Sequence, residues 1–372
     1  IEQWGWDRTL GNIYWALENK QNGDEKHRMQ GLFSLNYDIS DRFDLLLRSG
    51  LDYTNRNSKE YAAQGSRVNS NYNGWYGHSF DNRLEMNSDF LFSYREDISE
   101  KINLYLNLGG NHRYQQYKSI WQGGNTWRVP DFYHISNIEN YYTGQYFNEK
   151  EVLSLYGLGT LTYANWAYLD FTYRNDWSST LPKESNSYNY YSGNLSLIFT
   201  ELSNINPKIL SLGKLRGSYA KVGNDTGPYQ TQNYYSVSQT QWPYPVGSMS
   251  GRLAFADFKP EITTSWELGA NLGFLKNRIN LDIAYYNSIS ENQIMDVKLA
   301  PSSGFDNIKQ NAGAIRNKGF EALISARPVS SVKGFAWDVS LNFSRNKSMV
   351  ESLSEGEDRK VLARATNGMV LV

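Results

Sequence analysis

Residues 265–288 read Ser-Trp-Glu-Leu-Gly-Ala-Asn-Leu-Gly-Phe-Leu-Lys-Asn-Arg-Ile-Asn-Leu-Asp-Ile-Ala-Tyr-Tyr-Asn-Ser. Trp266, Leu268, Ala270, Leu272 and Phe274 fall on one side of a two-residue repeat, and Glu267, Gly269, Asn271 and Gly273 fall on the other. After the polar turn Lys276-Asn277-Arg278 the pattern returns, with Ile279, Leu281, Ile283 and Tyr285 set against Asn280, Asp282 and Ala284. Successive strand side chains point to opposite faces, whereas a helix repeats near every 3.6 residues. The stretch therefore predicts a hairpin with one apolar and one polar face.

The same alternation marks about twelve strands. They lie near 27–39, 43–56, 80–95, 101–114, 151–164, 167–177, 188–200, 213–223, 262–275, 278–290, 317–327 and 335–346. Their connections sort into two sets that alternate along the chain. Ser40-Asp41, Asp97 to Glu100, Asn165-Trp166, Thr200 to Gly213, Lys276 to Arg278 and Pro328 to Gly334 are mostly short. Those near 57–79, 115–150, 178–187, 224–261 and 291–316, and everything after 347, are mostly long. Greek-key crossovers would break that order. In an up-and-down barrel every second connection sits on the same rim. Faces split between apolar and polar, with unequal rims, are the pattern of an outer-membrane barrel. The expected fold is all-β, an antiparallel up-and-down transmembrane barrel. Tyr94, Tyr114, Tyr163, Trp166, Trp177 and Trp266, near strand ends, are expected at the headgroup girdles.

Composition agrees. The 372 residues carry a formal net charge of −1, are 15% aromatic, and have a mean hydropathy of −0.61. No run of about 18 apolar residues marks a transmembrane helix, which is compatible with strands that cross by alternation. Near-neutral charge argues against nucleic acid as a partner. Absent cysteine removes disulfides and thiolate metal sites.

Two segments carry a resemblance. Residues 260–269 read Pro-Glu-Ile-Thr-Thr-Ser-Trp-Glu-Leu-Gly, and 311–321 read Asn-Ala-Gly-Ala-Ile-Arg-Asn-Lys-Gly-Phe-Glu. Both resemble the C-terminal half of TonB-dependent outer-membrane transporters of the SusC/RagA type. Leu215 to Asp225, Asn12 to Trp15, and Leu341 to Ser344 resemble it as well. The resemblance implies a 22-stranded barrel around an N-terminal plug. Residues 1–372 would then be part of the barrel domain, with the plug and about ten strands elsewhere in a longer protein. It also implies import of an oligosaccharide or peptide across the bacterial outer membrane, driven through TonB, with a SusD-like surface lipoprotein over the mouth. The alternatives are a passive outer-membrane barrel or receptor, and a secreted β-protein that binds glycan.

Alternation places Glu267 and Glu321 toward the lumen, either touching plug or substrate or simply paired with a neighbouring base. The long loops hold the candidate ligand contacts Trp121, Trp127, Tyr133, Trp242 and Tyr244, among Gln, Asn and Gly. Aromatic faces beside amides and hydroxyls suit sugars and peptides alike. The competing reading is that these rings pack the loops against themselves. No catalytic or cofactor motif is present. His27, His78, His112 and His134 lack metal-ligand spacing. Glu149 and Glu151 read as solvated charges rather than a glycosidase pair. Asn19 to Glu25 reads as a plain turn rather than a calcium loop.

Overall fold

The computed structural model describes residues 13–66, 73–202, 205–238, 244–330, 334–353, 363–364 and 370–371. A short helix α1 (Ile13–Asn19) precedes β1 (Lys20–Ser40), β2 (Phe43–Ala62), β3 (Trp75–Ser99), β4 (Ile102–Trp127), β5 (Ile138–Tyr163), β6 (Ala167–Ser178), β7 (Ser187–Ile198) and β8 (Leu210–Asn224). Then come β9 (Tyr235–Ser238), β10 (Val246–Met249), β11 (Arg252–Leu253), β12 (Glu261–Phe274), β13 (Ile279–Glu291), β14 (Ile294–Lys298), β15 (Asn307–Asn311), β16 (Ala314–Ser330) and β17 (Ala336–Ser352). Twelve of these form one sheet in the order β1-β2-β3-β4-β5-β6-β7-β8-β12-β13-β16-β17. Each main strand neighbours the next in sequence, so this is the meander expected from the alternating connections. The pair β9/β10 and the small sheet β11-β15-β14 are built inside two of the long connections.

All twelve expected strands are present, and the short rim stands nearly as read. Ala164 and Asn165 take positive φ of 46° and 60° in one turn, and Leu275, Lys276 and Asn277 take 52°, 60° and 60° in another. These left-handed residues let each chain reverse within a few positions. Pro328, expected in a turn, lies within β16, where the pairing with β17 shifts register between Ala326 and Val329. A bulge is where a strand tolerates a residue without an N–H.

The long side differs more. β4 runs to Trp127 and β5 starts at Ile138, so most of the expected loop 115–150 is paired strand. Asn19 to Glu25, expected as a turn, is the end of α1 followed by the start of β1, and Asp24 pairs with Arg56 at 3.1 Å.

The structure divides into two compact units, one of Ile1–Leu35, Arg48–Asp89 and His112–Glu151, the other of Asn36–Leu47, Phe90–Asn111 and Val152–Val372. In the first, Tyr76, Trp127 and Ile138 form a buried cluster against Tyr61, Tyr133 and Ile135. In the second, Leu181, Tyr188 and Phe258 pack with Tyr190, Phe255 and Ile294. That second cluster draws its residues from three long connections and from strand ends beside them.

The registers of the second unit sort its two faces. Trp266 lies opposite Tyr219 and Asn287, Leu268 opposite Gly217 and Tyr285, and Ala270 opposite Leu215 and Ile283. The apolar face therefore runs continuously across neighbouring strands. Leu155, Phe171, Leu195, Leu215 and Leu268 are each 45–60% exposed on it. Contiguous exposed apolar surface of this kind needs an apolar partner, and in a barrel that partner is lipid.

Candidate functional site

The opposite face is polar and internally bonded. Asp170 accepts from Thr160 Oγ1 at 2.7 Å and from Asn194 Nδ2 at 3.0 Å, which links β5, β6 and β7. Arg174 donates to Asp176 at 2.7 Å and to Ser154 at 2.8 Å. Arg216 on β8 reaches across β12 to β13. It donates to Asn271 at 2.6 Å and Asp282 at 2.9 Å, and approaches Glu267 at 3.4 Å. The guanidinium passes over Gly269, where a Cβ would lie 2.7 Å from it. Glycine at 269 is thus a close-approach residue.

Glu267 is therefore on the polar face with a basic partner, which is the paired-charge reading of that residue. Glu321 occupies the same face of β16, opposite Ala284 on β13 and Ser344 on β17. In the first unit, Arg48 bonds Asp89 at 2.8 Å, Arg28 bonds Asp52 at 2.5 Å, and Arg113 pairs with Glu85 at 2.8 Å. Such pairs fix the face that looks into the lumen, because lipid admits no such charges.

Alternation along β4 carries Arg113, Tyr117 and Trp121 on that inner face, four residues apart. Trp121 meets Tyr142 of β5 edge to face, with ring centroids 5.4 Å apart. Trp75 of β3 donates its indole N–H to the Tyr142 hydroxyl at 3.0 Å. Tyr117 packs against Tyr146 at 5.9 Å and lies under the Arg83 guanidinium at 5.1 Å. A shallow cleft of ≈ 150 Å³ opens here, lined by Ser58, Glu60, Trp75, Ser79, Trp121 and Tyr142, among others.

The other aromatic residues of this region lie on the opposite face. Trp127 is 4% exposed and donates its indole N–H to the Ala62 carbonyl at 2.8 Å. Tyr133 stacks on Tyr61 at 4.0 Å and meets Trp127 edge to face at 5.3 Å. Burial first, and then the neighbouring Asp131 carboxylate, push the Tyr133 hydroxyl up to about 12. Segment 128–137 thus doubles back over the outward side, pinned by the buried Asn137. The Asn137 amide donates to the carbonyls of Val129 and Phe132 at 2.7 Å each. Trp127, expected as a ligand contact, is instead a packing residue, and Tyr133 is part of the same cluster. Trp121 remains 42% exposed. Tyr244 is 77% exposed just before β10. Trp242 lies outside the described residues.

Sequence reasoning missed Trp75. Its signal was local, because Trp75 and Gly77 sit two apart on one strand face, and the Trp75 ring covers the glycine. The histidines are engaged singly: His27 with Glu25, His78 with Asn57, His112 with Glu151, and His134 with Ser136. Among the described residues no three His, Cys, Asp or Glu side chains gather to hold a metal. Glu149 and Glu151 bond Tyr114 and His112 respectively.

The family model for the TonB-dependent receptor-like β-barrel matches residues 3–362. The chain belongs to this family. It is a TonB-dependent receptor barrel, and its place is the bacterial outer membrane. It is 26% identical over 360 residues to TonB-dependent receptor SusC of Bacteroides thetaiotaomicron, covering 92% of this chain and 35% of that protein. It is 30% identical over 218 residues to TonB-dependent receptor P3 of Formosa agariphila, covering 57% of this chain and 22% of the relative. The chain thus spans about a third or less of the length of these relatives. The RagAB peptide transporter structure superposes with a TM-score of 0.87 at 20% identity, over 96% of this chain and 40% of that one. The Escherichia coli ferric-catecholate import receptor Fiu superposes at 0.56 and 14% identity, over 93% and 49%. The expected SusC/RagA-type likeness is borne out, and the TonB-dependent barrel is the fold of the twelve strands.

Proposed function

We propose that this TonB-dependent receptor barrel imports an oligomeric nutrient, an oligosaccharide or a peptide, across the outer membrane. The observation that carries the reading is the division of one continuous sheet. An exposed apolar face suits lipid, and a cross-linked polar face turns inward and rises into strand extensions lined with aromatic side chains. Ligand is held between these extensions and a SusD-like surface lipoprotein acting as a lid. TonB then pulls on a plug domain contributed by the longer protein. The ligand passes a lumen lined by residues such as Asn103, Asp170, Glu267 and Glu321. The likeness to SusC and to RagAB supports this reading of partner and cargo.

Gentle detergent purification of the intact native protein, with mass spectrometry of what accompanies it, is the test. A co-purifying lipoprotein with bound sugar or peptide supports energised import. A barrel that arrives alone, together with uptake unaffected by loss of TonB, points to a passive receptor.

A further inference from the structure

The substrate class of this proposed importer, left open between sugar and peptide, is addressed by the inner-face cleft at the tip of β2–β5. This inference rests on the import reading and deepens it. Two indoles in the cleft lie flat over glycines. A Cβ at Gly144 would meet the Trp121 ring at 2.5 Å, and a Cβ at Gly77 would meet the Trp75 ring at 2.5 Å. Each indole is thus bedded on backbone on one side. The N–H edge of Trp75 is already spent on the Tyr142 hydroxyl. The Trp121 backbone carbonyl is held by the Thr143 hydroxyl at 3.1 Å, which fixes the strand beneath its ring. What remains available at Trp121 and Tyr142, 42% and 43% exposed, is chiefly aromatic face.

The surroundings define what those faces can take. Ser58, Glu60, Ser79 and Gln122 line the cleft and offer hydroxyl, amide and carboxylate groups to a ligand's edge. Among the described residues that line it there is neither lysine nor arginine. His78, between Gly77 and Ser79, turns its ring to the opposite face, against Phe80 and Asn57, and supplies no cation to the cleft. Glu60 is then the fixed charge, which disfavours carboxylated or sulfated ligands. The ≈ 150 Å³ volume is below the roughly 300–1,000 Å³ of pockets that enclose a drug-sized ligand. It suits one ring laid on an aromatic surface. An extended peptide is recognised through a free sheet edge or through alternating side-chain pockets. This cleft is neither, since β3, β4 and β5 are interior strands of the sheet. A pyranose has an apolar C–H face to stack and an equatorial ring of hydroxyls to bond, and the cleft supplies both partners.

We propose that Trp75, Trp121 and Tyr142 form a stacking subsite for a sugar ring of a neutral oligosaccharide, with Glu60 and its polar neighbours bonding the ring hydroxyls. The probes are maltohexaose, cellohexaose, laminarihexaose, xylohexaose and mannohexaose, with a tryptic casein digest as the peptide comparison. Binding to the full-length protein in detergent is followed by tryptophan fluorescence and calorimetry. At least one neutral hexaose binds. Trp121→Ala and Trp75→Ala each weaken it about tenfold or more, with Trp121→Phe intermediate. Heat-modifiable migration on a gel verifies that each variant is assembled, and Trp121→Phe keeps the test open where an alanine variant fails to assemble. The proposal is overturned if no hexaose binds, if Trp121→Ala and Trp121→Phe leave hexaose affinity unchanged, or if casein peptides bind in a Trp121-dependent way. TonB-dependent uptake of peptide that ignores these substitutions would remove the subsite and leave import standing. Trp121-dependent hexaose binding without energised uptake would remove import and leave the subsite standing.

Discussion

Arg216 shows how much of the inner face depends on single side chains. It faces Glu267 and Asp282 together, and its own side chain is 25% exposed. Arg216→Ala leaves two carboxylates without their shared cation. Water reaches both, so the loss is screened. A cost of about 1–2 kcal/mol is expected, with Arg216→Lys milder because it keeps the positive charge, though not neutral, because a point charge cannot serve three acceptors spread over two strands. Urea unfolding in lipid vesicles measures it, and an unchanged midpoint for Arg216→Ala would show the network to be idle. The facing of Glu267 and Trp266 was readable from the sequence because a repeat of two assigns each residue to a side. The partner of Glu267 was not, since it comes from a residue 51 positions away that only register brings near. Trp127 and Trp121 look alike in sequence, yet one is buried outward and the other exposed inward. Six positions separate them, an even number, so simple alternation would have put both on one face. Thr126, at φ 73°, breaks that regularity just before Trp127.

At the scale of elements, all twelve strands were legible where membrane crossing forces one face apolar and the other polar. Their distal ends were not. Beyond the bilayer both faces meet water, so Gln115, Gln116, Lys118, Ser119 and Gln122 continue β4 with no hydrophobic repeat to betray it. The apolar band itself gives a sharp expectation. Leu268→Arg, on the lipid face of β12, costs about 2–4 kcal/mol near the midplane. Ser344→Arg, on the inner face of β17 opposite Glu321, is tolerated. Comparing the heat-modifiable fraction of the two variants decides between this facing and its reverse. The outward cluster carries a pH dependence. His78 Nε2 donates to Asn57 Oδ1 at 2.6 Å, and the ring packs on Phe80 at 4.2 Å. Burial first, and Lys59 second, lower its pKa in the folded protein. The unfolded tip therefore binds more protons below about pH 6.5, the ordinary histidine value. Stability contributed by neutral His78 is full above that pH and declines as pH falls toward the lowered folded value. Protection factors for hydrogen exchange at Tyr76 and Ile138, with the intrinsic pH dependence of exchange divided out, should be lower at pH 5 than at pH 7.5, and His78→Gln should flatten the difference.

For the whole molecule, β1 and β17 are the two ends of the twelve-stranded sheet. Their outer edges carry backbone N–H and C=O groups that hydrocarbon cannot satisfy. Residues 1–372 produced alone should therefore aggregate or remain heat-insensitive on a gel, whereas the full-length protein should migrate as a folded barrel that needs detergent for extraction. A stable, membrane-inserted product from 1–372 alone would contradict this. The folded-back segment 128–137 has a consequence of another kind. Val129 and Phe132 are 56% and 54% exposed on the side that faces away from the lumen, while Trp121 and Tyr142 face the other way. If Trp121 and Tyr142 take ligand as proposed, an antibody or a bacteriophage bound to the outward side of this hairpin meets a surface physically separate from the ligand's. Sequence drift in the outer segment would then leave ligand choice untouched so long as Trp127 and Asn137 keep the segment folded down.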